Sequence, residues 1–399
     1  MRRVVDLLLG FALAACTEQG APVATGTQSL RIDLVSPADP GDPNRRLPGS
    51  PAPAVTVNVT ALDADANLDP TFDRDVYAYA QFLGTLTPAL GTNPLATFHV
   101  TAGKAMNVTV QLPPVFGPTT LWVDDGKNTD PTYATGTSPT IWFTDPFIKD
   151  IQTPKSETAL DALSESPLDG KNVGVSKSQY GARGRLVITS VFAQGYTVAD
   201  VQCADANGNP PCTGGNYVYL EVFTFSAARD QEGRFVSEGQ SIDGFAGGMS
   251  EFNGLTEVGF PQTFVNDAPD VNKAREPAPV KLDPATWFLG LSDPSGGMIN
   301  FERNEAGAIE VDNGIVCPLD ADYATYKQWK IDPTGTGGTN CAGHNIINVI
   351  TAGVIAELDP MTLVGKTLPK VVGILRPVNI GAFNVWIIYP RSLADLTLQ

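Results

Sequence analysis

Few side chains in this sequence are equipped for chemistry at neutral pH. There are 2 histidines, His99 and His344, so mechanisms that need imidazole as a base or a metal ligand have almost no candidates. His99 falls in Thr97-Phe98-His99-Val100-Thr101, an apparent strand, and is expected to face solvent. Gly248-Met249-Ser250-Glu251-Phe252 approaches a nucleophile elbow, but the final glycine is missing and the string sits inside a strand-like repeat. No catalytic residue is assigned, and the expectation is a binding or scaffolding protein, not an enzyme.

The 5 cysteines divide into Cys16 and an even set, Cys203, Cys212, Cys317 and Cys341. Their order suggests two local pairs, Cys203 with Cys212 and Cys317 with Cys341, although four cysteines allow three connectivities. Cys317, Cys341 and His344 are also a partial zinc set, but a closed site needs a fourth ligand and reduced thiols. Structural disulfides in loops are the expectation.

Asp63, Asp65, Asn67 and Asp69 alternate oxygen ligands as calcium loops do. Leu68 stands where an EF-hand needs glycine and Arg74 where it needs a bidentate glutamate, which excludes that motif. A looser calcium site in a sandwich loop competes with an ordinary Asx-rich turn. No other cofactor is expected.

The formal net charge is −17, from 26 Lys plus Arg against 43 Asp plus Glu. Such a balance repels phosphate backbones and anionic headgroups. Nucleic acid is therefore disfavoured as a partner.

The N-terminus carries a more specific signal. Met1-Arg2-Arg3 is followed by a mostly apolar run from Val4 to Ala12, then Leu13-Ala14-Ala15-Cys16, before the chain turns polar. The run is shorter than the roughly 20 residues a membrane-spanning helix needs, and its flanks are those of an export signal. Leu13-Ala14-Ala15-Cys16 resembles the bacterial lipobox, which implies that residues 1–16 are a signal and its lipidated cysteine, with cleavage before a diacylated Cys16 that becomes the first residue of the mature protein. That resemblance places the protein in the cell envelope, held to the membrane by its lipid, and Thr17 in place of aspartate favours the outer membrane or cell surface. Residues 17–28, small and polar, are the expected tether.

With 32 Pro and 39 Gly and little helical periodicity, the remainder predicts an all-β protein of short strands and turns. Within residues 29–146, strands are expected at Ser29 to Leu34, Val55 to Ala61, Val76 to Leu83, Leu95 to Val100, Met106 to Leu112, Thr119 to Val123 and Thr140 to Phe143. The count points to a two-sheet sandwich. Val57-x-Val59-Thr60-Ala61-x-Asp63-x-Asp65-x-Asn67 resembles the opening of bacterial Ig-like surface repeats, which implies an Ig-like fold. Residues 147–175 read as a linker, with one helical turn around Thr158 to Leu163.

The second half contains an apparent duplication. Gly239, Ile242, Phe245, Gly247, Met249, Asn253 and Phe260 are answered by Gly365, Leu368, Val371, Gly373, Leu375, Asn379 and Trp386, all offset by 126 residues. Gly184 to Val191 answers Gly307 to Gly314, and Tyr217 to Phe225 answers Asn345 to Ile355. Glu238 to Phe245 with Met249 to Val258, and the ending Val385 to Leu396, are similar to OB-fold-like domains that accompany secreted bacterial nucleases. That similarity implies two OB-like five-stranded barrels, residues 176–265 and 305–399, joined by a connector at 266–304. Gly247 and Gly373 should sit where a strand bends around the barrel.

Neither barrel has a basic footprint, with five basic residues against nine acidic in the first and six against nine in the second. Tyr217, Tyr219, Phe223 and Phe225 alternate and are expected in the barrel core, while Trp329 is expected in a loop or short helix, the first candidate for an exposed aromatic, with packing under the long loop the favoured reading. An unknown protein or glycan is the expected partner besides the membrane; a nucleic-acid-binding or nuclease-associated module is the alternative.

Overall fold

The computed structural model describes residues 26–49, 52–82, 93–126, 134–154, 165–266, 269–289, 299–336, 340–380 and 383–398. Cys16, most of the tether and the helical turn expected at 158–163 lie outside them. The chain is all-β, and its described helices have six residues or fewer. It divides into two units, Met1–Gln81 with Leu86–Trp142, and Phe82–Thr85 with Phe143–Gln399.

The first unit is the expected sandwich. One sheet runs β1 (Ser29–Ser36), β2 (Ala54–Leu62), β5 (Lys104–Gln111). The other runs β4 (Ala96–Val100), β3 (Arg74–Phe82), β6 (Pro118–Asp124), β7 (Thr135–Thr137), with β8 (Ile141–Trp142) also on β6. The period-2 pattern fixes which face is inward: Val55, Val57 and Val59 on β2 are all buried, as are Leu30, Ile32, Val76, Leu121 and Val123. β7 was not foreseen, because Thr135-Gly136-Thr137 has no apolar alternation; a Cβ on Gly136 would meet the Leu30 carbonyl oxygen, so only glycine admits this close approach.

The second unit opens with α1 (Ile148–Gln152) and β9 (Asn172–Ser176). Both lie in the stretch expected to be a linker, yet Ile148 and Ile151 are fully buried and β9 pairs with a barrel strand. The first barrel comprises β10 (Gly184–Phe192), β11 (Gly195–Gln202), β12 (Tyr219–Phe223), β13 (Gln240–Ile242), β14 (Gly244–Phe252) and β15 (Leu255–Phe264), with β16 (Asp270–Val271) on its edge. The ring runs β10-β11-β12-β15-β14, and β13 closes it on β10. β12 and β15 are parallel; the other neighbours are antiparallel.

The connector carries β17 (Val280–Lys281), α2 (Pro284–Trp287) and α3 (Ile299–Arg303). The second barrel follows with β18 (Ala308–Val316), α4 (Ala321–Tyr326), β19 (Gln328–Asp332), β20 (Ile347–Ile350), β21 (Thr367–Ile380), β22 (Phe383–Tyr389) and β23 (Leu396–Thr397). Its ring, β18-β19-β20-β22-β21-β18, repeats the first, including the parallel pair β20 and β22. β21 answers β13 plus β14 at the 126-residue offset read from the sequence. Both are OB-like five-stranded barrels.

Gly247 and Gly373 occupy matching points in these strands. At Gly247 a Cβ would lie 2.6 Å from Val258 Cγ1 and 2.7 Å from the Gly259 oxygen; at Gly373 it would lie 2.5 Å from Ile388 Cγ2 and 2.6 Å from Pro390 N. Each glycine lets the fourth strand press against the fifth where the ring curves.

Trp329 is packed, as favoured, but on a strand and not in a loop or short helix. α4 ends at Lys327 in the left-handed conformation (φ +60°), and the chain enters β19 at once, which carries Trp329 into the core at 1% exposure. The Tyr217 to Phe225 stripe is half corrected. Tyr217 and Tyr219 are buried, but Phe225, at φ +60° and 52% exposed, breaks the alternation and leaves the barrel.

Candidate functional site

The two barrels meet within the second unit around two arginines, both supplied by the second barrel. Arg376 lies near the end of β21 and Arg391 just beyond β22, and both line a cavity of about 530 Å³. The opposite wall is the tight turn between β10 and β11. Gly195 makes that turn possible, since a Cβ there would strike the Val222 oxygen at 2.3 Å and the Phe192 ring at 2.9 Å. Phe192 and Gln194 are thereby brought to the cavity beside Val191, with Val354 and Tyr389 from the second barrel across from them.

Arg391 is the joint. Its Nε and Nη2 donate to the two oxygens of Asp395, each at 3.0 Å, and its Nη1 donates to the Thr189 carbonyl, Glu238 and Glu276 at 3.0, 2.7 and 3.0 Å. Burial opposes the charge, but Asp395, Glu238 and Glu276 together hold the guanidinium firmly protonated. Burial and the neighbouring Glu238 charge push Glu276 up to about 7. A smaller cavity of about 210 Å³ lies beside this cluster, against Tyr219.

Arg376 is arranged differently. Its guanidinium carbon stands 4.3 Å from the centre of the Phe192 ring and 5.1 Å from that of Tyr389, so two aromatic faces fix its position. Its Nε is 2.9 Å from Glu221 Oε2, close enough for an ion pair. The contact is not a hydrogen bond, since both atoms are buried without a hydrogen-bonding partner. Among the described residues, the terminal nitrogens Nη1 and Nη2 have no acceptor. Burial raises Glu221 to about 7 although Arg376 pulls the other way, with the Glu257 carboxylate adding to the rise. Burial likewise raises Glu257 and the Tyr389 hydroxyl. Desolvation wins over the ion pair here, so near neutrality Glu221 cancels only part of the arginine charge.

A second group of buried acids ties α3 to the β14–β15 hairpin. Glu251 Oε1 accepts from the Ser166 amide and the Thr256 hydroxyl, both at 2.7 Å, and Glu305 Oε1 accepts from the Thr256 amide at 2.9 Å. Burial, with Glu251 adding to it, raises Glu302 to about 8; burial and its neighbours Glu302 and Glu251 hold Glu305 well above the usual carboxylate range.

The residues singled out from the sequence are scattered. Cys203 bonds Cys212 and Cys317 bonds Cys341, the two local pairs among the three connectivities, and no thiol of that set is left for zinc. His344 instead lies 3.2 Å from Asp332. In the sandwich loop, Asp63 Oδ1 accepts from the amides of Asp65 and Asn67, as an Asx-rich turn does. Asp69 is turned inward, its oxygens taken by the Thr27 and Thr71 hydroxyls. Among the described residues no three His, Cys, Asp or Glu side chains converge as a metal site. His99 is on β4 and exposed, its ring nitrogens each 2.8 Å from Asp75 and Asp73, and these carboxylates hold the imidazole above its ordinary pKa. Ser250 lies on β14, 3.5 Å from Glu257, within the strand repeat.

Arg376 and Glu221 were missed by sequence reasoning, although each left a trace. A charge inside Val371-Val-Gly-Ile-Leu-Arg-Pro-Val378, and another inside Tyr219-Leu-Glu-Val-Phe223, interrupts an otherwise apolar strand. A lone charge in a strand that closes a small barrel needs a partner. No known protein family, characterised protein or solved structure matches this chain.

Proposed function

We propose that this is a lipid-anchored protein of the bacterial envelope that works by binding, not by catalysis. The Leu13-Ala14-Ala15-Cys16 signature supports the anchor, and two disulfides suit an oxidising compartment. One observation carries the binding role: the cavity of about 530 Å³ between the barrels, of the size and mixed polarity that small-molecule sites have. The sandwich serves as a second presenting domain for a protein or glycan partner at the outer membrane or cell surface.

Two measurements test this. Labelling with a radioactive palmitate precursor should mark the parent chain and leave Cys16→Ser unmarked; equal labelling would end the anchor assignment. The Cys16→Ser chain should capture a component from polysaccharide or envelope fractions and ignore single-stranded DNA. DNA binding that weakens steeply with added salt would favour a nucleic-acid module instead.

A further inference from the structure

Two arginines line the same cavity and have opposite surroundings. All three side-chain nitrogens of Arg391 reach an acceptor, which is what a structural arginine does. Arg376, with 19% of its side chain exposed, is held between Phe192 and Tyr389 and beside Glu221, while among the described residues its outer nitrogens have no acceptor. A planar guanidinium fixed in orientation with its fork open is a receptor for a planar bidentate acceptor.

The rest of the cavity defines what that acceptor is attached to. Val191 and Val354, 41% and 52% exposed, form apolar walls, joined by Ile374 two residues before Arg376 on β21. Glu221 and Glu257 stand close to Arg376, so a doubly charged group would meet about twice the repulsion a monoanion meets and a larger desolvation cost, against a single arginine.

We propose that the inter-barrel cavity binds a small amphiphilic carboxylate, its acid group on Arg376 Nη1 and Nη2 and its alkyl part against Val191 and Val354. This deepens the binding role proposed above and rests on it.

Calorimetric titration of the full-length Cys16→Ser chain with octanoate tests the site, using acetate, octan-1-ol and octyl phosphate as probes that lack the chain, lose the charge or double it. Octanoate should bind saturably at one site, each of the three comparison probes roughly tenfold or more weaker. Arg376→Gln should weaken octanoate roughly ten- to hundredfold, the worth of a charge-assisted pair. Val354→Asp places a carboxylate on an exposed wall away from the ion pair and should weaken octanoate similarly, which keeps the test decisive should Arg376→Gln fail to fold. The proposal falls if the parent does not bind octanoate, if a folded Arg376→Gln or Val354→Asp binds it as well as the parent, or if any comparison probe binds equally well or better. A parent that ignores octanoate yet captures an envelope component would sink the carboxylate site alone; a parent that captures nothing would sink the binding role with it.

Discussion

The two barrels share one strand order and differ in what they bury. Around Trp329 the second packs an apolar cluster of Ile309, Val311, Ile331, Ile347, Val349, Leu375 and Ile388, and its buried polar side chains include Glu310, Gln328, Asp332, Asn348 and Thr351. The first buries Thr189, Thr197, Glu221, Gln240, Thr256, Glu257 and Thr263, and its largest fully buried side chain, Tyr196, shares a hydrogen bond with Thr263 at 2.8 Å. Strand registers align the difference: Glu221 beside Glu257 on β12 and β15 corresponds to Asn348 beside Ile387 on β20 and β22. Asn348 is neutral and bonded to Gln328 and the Trp386 carbonyl, whereas the two glutamates need help from outside their own barrel. That help is Arg376, whose counterpart at the 126-residue offset is Ser250. The copies have thus diverged into complementary halves, one supplying buried carboxylates and the other the arginines that face them, and the cavity lies at that seam.

The sharpest way to separate the halves is pH. Several buried carboxylates of the first barrel and its connector are raised, Glu221 and Glu276 to about 7 and Glu302 to about 8, from 4.5, by burial first in each case, whereas at Asp230 burial is outweighed by bonds from Arg234 and neighbouring amides, which lower it. In the second barrel, burial opposes ionisation of Asp320, but bonds from Lys330 and neighbouring amides win and lower it; Asp312 is lowered chiefly by its bond from Lys281. A raised folded-state pKa means that the native state holds the proton more tightly. The stability it contributes is complete below about 4.5 and is lost as pH rises through 7 to 8. The first barrel and the connector should therefore lose stability between pH 5 and pH 8 while the strands of the second barrel change little. Amide hydrogen exchange resolves the two, and all 5 tryptophans (Trp122, Trp142, Trp287, Trp329, Trp386) lie outside the first barrel, so their fluorescence is blind to it. Equal loss of protection in both barrels would contradict the division.

Core truncation should show the complementary asymmetry. Trp329→Ala leaves a large void in an apolar interior and is expected to cost about 3–5 kcal/mol, read as a fall in the thermal midpoint. Tyr196→Phe removes one hydroxyl from the polar interior of the first barrel and should cost about 1 kcal/mol. A smaller loss for Trp329→Ala than for Tyr196→Phe would overturn the ranking of these two sites.

The fold was more legible than the site, for a physical reason. Strand periodicity and glycine placement are local, so β2, β10 and β18 could be read from residues near each other in the chain, and the 126-residue repeat from one such local pattern recurring. The pairing of Cys203 with Cys212 was similarly suggested by proximity. The seam depends on residues far apart: Arg376 meets Glu221, and Arg391 meets Glu238 and Thr189, only after both barrels have closed. Counting charges over each barrel hid them, since two arginines in the right place do not make a basic face. Trp329 and Phe225 were misplaced because single residues in left-handed backbone, Lys327 and Phe225 itself, shift the alternation in ways that side-chain type does not announce.

The matched glycines refine the comparison at the level of one methyl group. Gly247→Ala and Gly373→Ala should each cost about 1–3 kcal/mol, since the new methyl has no room. Gly373→Ala should cost more. Besides a neighbouring methyl at each site, its Cβ would meet two backbone atoms, Pro390 N and the Tyr389 carbonyl carbon, both at 2.6 Å, whereas at Gly247 one backbone atom, the Gly259 oxygen at 2.7 Å, is as close. Urea denaturation of the two variants gives the ranking, and a costlier Gly247→Ala would show the first barrel to be the tighter one at this corner.

The smallest change converts part of one barrel into the other. Glu221→Gln gives the first barrel a neutral amide where the second has Asn348, with nearly the same shape. Near pH 6 Glu221 is mostly protonated and already neutral, because burial holds its pKa near 7, so the variant should lie within about 1 kcal/mol of the parent. At pH 8 the parent must keep a buried charge and the variant need not. The difference in stability between pH 6 and pH 8 should therefore shrink by about 1 kcal/mol in Glu221→Gln, measured by paired urea titrations. An unchanged pH dependence would mean that Arg376 already holds Glu221 ionised, and that the open fork of the arginine is more fully neutralised than its geometry suggests.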